Sequence, residues 1–174
     1  MDLGFDVVDL PETDHVAVGD EAPAFTRPLV GDEFWEDRAL ADLVDGPTLL
    51  LFHPMDGAFQ TTYLYNEIDD RGWADDVDVY GLSVSSPYEH KRLLAERGDG
   101  IRIFSDPSAT VVERYGVDHD VDGMAGITEA RPAVFLLDTE HVVRYAWVAG
   151  EHPEFPDYDA IEDAIDELSD RGPE

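Results

Sequence analysis

The stretch "FHPMDGAFQTT", residues 52 to 62, holds the residue types best placed to do chemistry. It follows the apolar run "TLLLF", contains Pro54 and Gly57, and leads into a polar helix start. Strand, turn and helix N-terminus together present free backbone N–H groups and the positive end of the helix dipole to the first helical turn. A nucleophile or a bound anion is stabilised there. The chain has no cysteine, which excludes disulfides, thiolate metal sites and every thiol-based mechanism within it. No serine lies in the stretch, and the sequence places no base beside Thr61, so direct nucleophilic catalysis by that hydroxyl is not supported. Thr61 is expected to cap the helix, its oxygen accepting from first-turn amides. Binding of a small polar or anionic ligand is the sharper alternative.

The neighbouring candidates read more blandly. His53, next to Pro54, is expected to be a packed or capping histidine rather than a proton-transfer residue. Asp56 could share a metal with His53, but two ligands at this spacing do not make a metal site; no metal and no cofactor is implied. Met55 and Phe59 flank the loop and could form an apolar rim or a partner contact, with buried packing open for Phe59. "DHDVDG", with Asp118, His119, Asp120 and Asp122, has the look of a cation loop but lacks the rest of an EF-hand pattern. It is expected to be a solvated loop. Arg131 is expected to pair with a carboxylate, since carboxylates are everywhere in this chain.

The elements that must position these residues alternate between strand and helix. "VGDEAPAFTRPLVGDEFWEDRALADLVDG" reads as a turn-rich lead-in with short strands and a brief helix. "PTLLLFH" is a continuous apolar run, as a buried parallel strand requires. "TTYLYNEIDDRGWADD" reads as helix, with Tyr63, Ile68 and Trp73 available for one face. "VDVYGLSVS" is a β-branched strand, and "SPYEHKRLLAERGDG" a helix with a Ser-Pro start and a glycine stop. "IRIFSDP" is a short strand and "SATVVERYGV" a short helix. "RPAVFLLDTEHVVRYAWVA" is a hairpin turning at Thr139 and Glu140. "DYDAIEDAIDELSDRG" is an amphipathic helix with Ile161, Ile165 and Leu168 on one side. This order predicts a mixed central sheet flanked by helices. With 174 residues, one domain with a real core is expected, spanning 16–174 behind an N-terminal extension, 1–15.

Charge narrows the setting. Asp and Glu total 41 against 11 Lys and Arg, a formal net charge of −30. Such a chain repels nucleic acid and anionic lipid, whose binding begins with cationic contacts to phosphate. An acidic domain for a basic partner and adaptation to molar salt both fit. The acidic residues are spread along the whole chain, which favours a halophilic, archaeon-type source. The absence of a basic and apolar leader and of a long apolar run points to the cytoplasm, with no membrane partner.

Several segments resemble, in order, the peroxiredoxins of the alkyl hydroperoxide reductase and thiol-specific antioxidant family. "VGDEAPAFTRPLV" is similar to their opening, "TLLLFHPMDGAF" to their strand and active-site loop, and "VYGLSVSSPYEHKRLLAE" to their next strand, turn and helix. "FSDPSATVVERYGV" and "RPAVFLLDTEHVVRYAWVA" resemble their later segment and closing hairpin. The resemblance covers about residues 16 to 149 and implies a thioredoxin-like α/β fold. The family loop follows Pro-x-x-x-Thr-x-x-Cys. Pro54 matches its proline, Ala58 stands at its threonine and Thr61 at its peroxidatic cysteine. The family arginine falls at Pro132, with Arg131 one residue earlier, and thioredoxin-like relatives carry a cis-proline there, so Pro132 is a candidate cis-proline. The resemblance also implies a homodimer.

Shape without chemistry is therefore the expectation. The reading favoured is a peroxiredoxin-like domain without thiol peroxidase activity that binds a ligand or a protein partner. The alternatives are a redox enzyme that uses the same pocket with a metal, heme or external thiol, and a purely structural dimer. If the loop keeps its geometry, a cysteine placed at position 61 should feel the helix N-terminus and have a pKa below the free value of about 8.5.

Overall fold

The computed structural model describes residues 7–31, 34–97, 99–120 and 124–170. A short strand β1 (Val8–Asp9) is followed by the hairpin β2 (Thr26–Val30) and β3 (Trp35–Ala39) and by a single 3₁₀ turn, Leu40–Asp42. Strand β4 (Thr48–Phe52) leads to helix α1 (Phe59–Arg71), which Gly72 ends in the left-handed conformation, φ 68°, before the short α2 (Trp73–Asp76). Then come β5 (Asp78–Ser83), α3 (Pro87–Glu96), β6 (Arg102–Ser105), α4 (Thr110–Arg114) and the small hairpin β7 (Asp118–Asp120) and β8 (Thr128–Ala130). Strands β9 (Ala133–Leu137), β10 (Val143–Val148) and β11 (Glu151–His152) and helix α5 (Tyr158–Asp170) complete the chain.

Seven strands form one sheet in the order β10-β9-β4-β5-β6-β2-β3. β4, β5 and β6 run parallel, and β9, β10, β2 and β3 are antiparallel to their neighbours. The runs "TLLLF", "VDVYGLSV" and "AVFLLD" thus lie side by side at its centre. Their interiors are mostly apolar because both faces are buried. Leu50, Phe52, Tyr80, Leu82, Phe104 and Phe135 point to a core shared with Tyr115 and α4. Leu49, Leu51, Val79, Ile103, Val134 and Leu136 point to the other, shared with Leu64, Tyr65 and Ile68 of α1 and with Ile161 and Ile165 of α5. Among the described residues no helix is long and apolar enough to cross a membrane.

Two expectations change here. Tyr63 is 52% exposed while Ile68 and Trp73 are buried. The inward face of α1 is instead Gln60, Thr61, Leu64, Tyr65 and Ile68, because the helix begins at Phe59 and Trp73 lies beyond the break at Gly72. The segment 118–120 is strand rather than solvated loop. It pairs residue by residue with 128–130, and Thr128 Oγ1 donates to Asp120 Oδ1 at 2.7 Å. Asp122 lies outside the described residues.

Residues 8–16 run along one side of the molecule. β1 pairs antiparallel with β11, Leu10 N donates to the Gly150 carbonyl at 2.9 Å, Thr13 Oγ1 to that of Gly116 at 2.7 Å and Val16 N to that of Tyr115 at 3.1 Å.

Candidate functional site

β4 delivers His53 and Pro54 to the top of the central sheet, and the chain turns through Met55–Ala58 before α1 begins. Ala58 is the N-cap, with φ −73° and ψ 143°, so Thr61 is the third helical residue and not the cap. The Thr61 hydroxyl is fully buried and turned back into the loop. It lies 3.0 Å from the carbonyl oxygens of both Pro54 and Met55, and it can only donate to them. The Thr61 amide is occupied too, donating to the Ala58 carbonyl at 3.1 Å. Ala58 carries no side-chain oxygen, so nothing at the family's threonine position competes for these groups.

Below the loop lies a buried polar cluster. Leu49, Leu51 and His53 alternate onto the α1 face of the sheet. His53 Nδ1 donates to the Pro54 carbonyl at 2.7 Å, and its Nε2 accepts from the Tyr65 hydroxyl at 3.0 Å. Both roles require the neutral imidazole. Burial, against the opposing charge of Asp56, lowers the His53 pKa from 6.5 to about 4; burial likewise raises that of Tyr65 well above its ordinary value. Gly81 on β5 makes the room, since a Cβ there would lie 2.0 Å from the Tyr65 oxygen and 3.2 Å from His53 Nε2.

Asp56 is held separately. Its Oδ2 accepts from His90 Nδ1 at 2.6 Å and its Oδ1 from Ser83 Oγ at 3.1 Å, while its backbone N–H donates to Ser85 Oγ at 3.0 Å. His90 is brought there by α3, whose start is secured when the Ser86 amide donates to Glu89 Oε2 at 3.0 Å. His90 Nε2 is buried with no hydrogen-bond partner. Asp56 and His53 share no metal geometry: the nearest approach of Asp56 to His53 Nδ1 is 3.9 Å, and that nitrogen already serves Pro54. No group of three or more metal-ligating side chains is assembled among the described residues.

On the other side of the loop the Met55 amide donates to Glu129 Oε2 at 3.0 Å. Burial raises the Glu129 pKa, partly offset by that bond. Met55 is half-buried and Phe59 is 38% exposed. The Phe59 ring meets Tyr63, and Tyr63 meets Phe155, both edge to face.

Arg131 corrects a further expectation. It is 3% exposed and forms no ion pair with a carboxylate among the described residues. NH1 donates to the carbonyls of Pro11 at 3.0 Å and Ala149 at 3.3 Å, and NH2 to that of Asp118 at 3.1 Å; Nε is unpartnered. Main-chain carbonyls converge there from three segments. None belongs to the 53–61 loop. Burial pulls the guanidinium below its ordinary pKa. The Arg131–Pro132 bond is trans, and among the described residues the cis X-Pro bond is His152–Pro153. A trans link carries the chain directly from β8 into β9, with the Arg131 amide on the Val117 carbonyl and the Pro132 carbonyl accepting from Ala149 N, both at 2.9 Å.

The loop and its flanking strands match the AhpC/TSA family model, which covers residues 18–146. The chain belongs to the AhpC/TSA family. It is 30% identical to the bcp peroxiredoxin of Coxiella burnetii over 139 residues, which are 76% of this chain and 88% of that one. Among solved structures it resembles a thiol peroxidase from Chromobacterium violaceum, with a TM-score of 0.73, 27% identity and 91% of each chain covered. It also resembles a reduced 2-Cys peroxiredoxin of Plasmodium vivax, with a TM-score of 0.71, 25% identity and coverage of 88% of this chain and 82% of that one. Fold and family are thus those of the peroxiredoxins, and the peroxidatic cysteine is absent.

Tyr65, Ser83, Ser85, His90 and Glu129 were not legible as site residues in the sequence. Gly81, inside an apolar strand, was the available signal, since an interior glycine marks a close approach by another group.

The geometry also revises the expectation for a cysteine at position 61. A thiolate there would be buried and would face the Pro54 and Met55 carbonyl oxygens. Burial and these two negative dipoles raise a thiol pKa, and they oppose the helix N-terminus at shorter range.

Proposed function

We propose that this AhpC/TSA-family protein has no thiol peroxidase activity and acts by binding a small ligand or a protein partner. The observation that carries this reading is Thr61: the residue at the family's cysteine position is a buried hydroxyl committed to two loop carbonyls. Oxygen at this position cannot form the sulfenic intermediate that a peroxide makes with a thiolate. The family positions Pro54, Ala58, Thr61, Arg131 and Pro132, with His53, Met55, Asp56 and Phe59 around them, are the residues we assign to the former active site. We further propose a cytoplasmic homodimer adapted to high salt, with residues 1–15 as an extension of the family domain.

Purified, metal-free protein with hydrogen peroxide and a dithiol reductant tests the first half. Consumption at the rate of the buffer blank is expected. Turnover proportional to protein concentration would overturn the reading. Native mass spectrometry of protein isolated from its source at high salt tests the second half. A ligand or partner in fixed stoichiometry is expected, and a bare chain would contradict it.

A further inference from the structure

We propose that residues 8–16 are a releasable strap over an oxyanion site centred on Arg131. The inference rests on the binding role proposed above and adds where the ligand sits and what admits it.

Among the described residues Arg131 is a buried cation bonded only to neutral carbonyls; they take three of its five N–H groups, leaving Nε–H and the second hydrogen of NH2, with Nε having no partner at all. Removing a charge from water is unfavourable unless an opposite charge or full hydrogen bonding compensates it. Here neither is complete, in a chain that has 41 carboxylates to offer. A small oxyanion supplies both missing parts, a negative charge and an acceptor for Nε, and guanidinium is the side chain best shaped to hold one.

One of the three carbonyls on Arg131 comes from Pro11, in a segment outside the family match, which begins at residue 18. That segment is lightly held. β1 is two residues long, Val7 and Val8 are 59% and 58% exposed, and among the described residues the other attachments are the bonds at Leu10, Thr13 and Val16 and the packing of half-buried Val16 against the core. Few apolar contacts and few hydrogen bonds mean a low free energy of local opening. The strap lies flat because Gly116, at φ +72°, has no side chain: a Cβ there would sit 2.7 Å from both the Asp14 carbonyl oxygen and His15 Cα. Opening withdraws the Pro11 carbonyl and frees an NH1 donor of Arg131 in addition to those already unused. The closed strap and an oxyanion therefore compete for the same guanidinium, and each weakens the other by the same factor.

The test compares the full chain with a variant lacking residues 1–12, at fixed molar KCl. Inorganic phosphate and acetate are titrated separately while the Arg131 Nε–H resonance, assigned by its loss in Arg131→Gln, is followed by NMR. Saturable binding at least tenfold tighter in the shortened chain is expected, and none when Arg131→Gln is added. Binding of either anion supports the site, and whichever binds more tightly names the oxyanion class. In the full chain, saturating anion should speed hydrogen exchange at the Leu10 and Val16 amides, which the closed strap protects. This arm decides the matter alone if the shortened chain does not fold. Absence of saturable binding, equal affinity with and without the strap, or unchanged exchange at Leu10 and Val16 would each overturn the proposal. Failure to bind any anion sinks this site only; peroxidase turnover is read in the separate assay above.

Discussion

Thr61 and His53 show how polar residues are accommodated in the buried loop at the family's active-site position. Every strong donor they carry is spent on a carbonyl of the loop itself, Thr61 on Pro54 and Met55, His53 on Pro54. The remaining nitrogen of His53 is satisfied by Tyr65. A histidine held neutral in this way makes stability depend on pH. The unfolded chain takes up a proton below about pH 6.5 and the folded chain does so only near 4. The contribution is therefore fully present above 6.5, is lost as pH falls through 6.5 toward 4, and levels off below. The fall from 6.5 to about 4 is worth about 3 kcal/mol. In His53→Phe with Tyr65→Phe, which removes both partners together, the loss of melting temperature between pH 6.5 and 4 should be smaller than in the natural chain. Glu129, raised by burial, acts with the opposite sign, and His119, lowered by burial, with the same sign. Both are common to the two proteins and cancel in the comparison. An unchanged pH slope would show that His53 is not the titrating group.

At the scale of elements, the decisive junction is β5 beneath α1. The α1 face of β5 is interrupted at Gly81, and Tyr65 and His53 fill the gap. Gly81→Ala places a methyl against the Tyr65 hydroxyl, 2.0 Å away before any movement. Tyr65 is fully buried and has nowhere to go. Overpacking of this kind costs on the order of 3 kcal/mol, seen as a lower midpoint in denaturant. Adding Tyr65→Phe should recover part of it, because the oxygen is the closest atom. A substitution without effect would mean that the Tyr65–His53 pair is not seated as described. The same junction separates what could be read in the sequence from what could not. "TLLLF", "AVFLL" and the Ser-Pro start of α3 announce themselves locally, through uninterrupted burial and helix-start chemistry. The cluster does not. His90 reaches Asp56 across 34 positions and Glu129 reaches Met55 across 74, and only the seating of α3 and of β8 against the loop brings such partners together. Thr61 was misread as a cap because the helix begins at Phe59, two residues before it, and boundary residues are the least determined by local sequence.

For the whole molecule, charge dominates. A formal net charge of −30 acts over about 30 Å at 0.01 M salt and over about 3 Å at 1 M. Repulsion among the excess carboxylates opposes compaction in dilute buffer and fades as salt rises. Arg71, which bridges Glu67, Asp159 and Glu162 and so ties α1 to α5, shows how few cations serve many anions. Melting temperature should climb steadily from low to molar KCl. A flat profile would argue against adaptation to high salt and favour a basic partner as the natural counter-charge.

The central claim is that the loop keeps the family's backbone path and has lost its thiolate cradle, and Thr61→Cys tests it most directly. The pKa of the introduced thiol should be measured in molar KCl beside a control cysteine at the exposed position of Ser169. The expected result is a pKa above that of the control, with oxidation by hydrogen peroxide at pH 7 no faster than the control's, because a thiolate at position 61 would be buried against the carbonyls that now accept from Thr61. A pKa below the control, accompanied by faster oxidation, would contradict the claim and show that an intact peroxidatic pocket still surrounds the substituted residue.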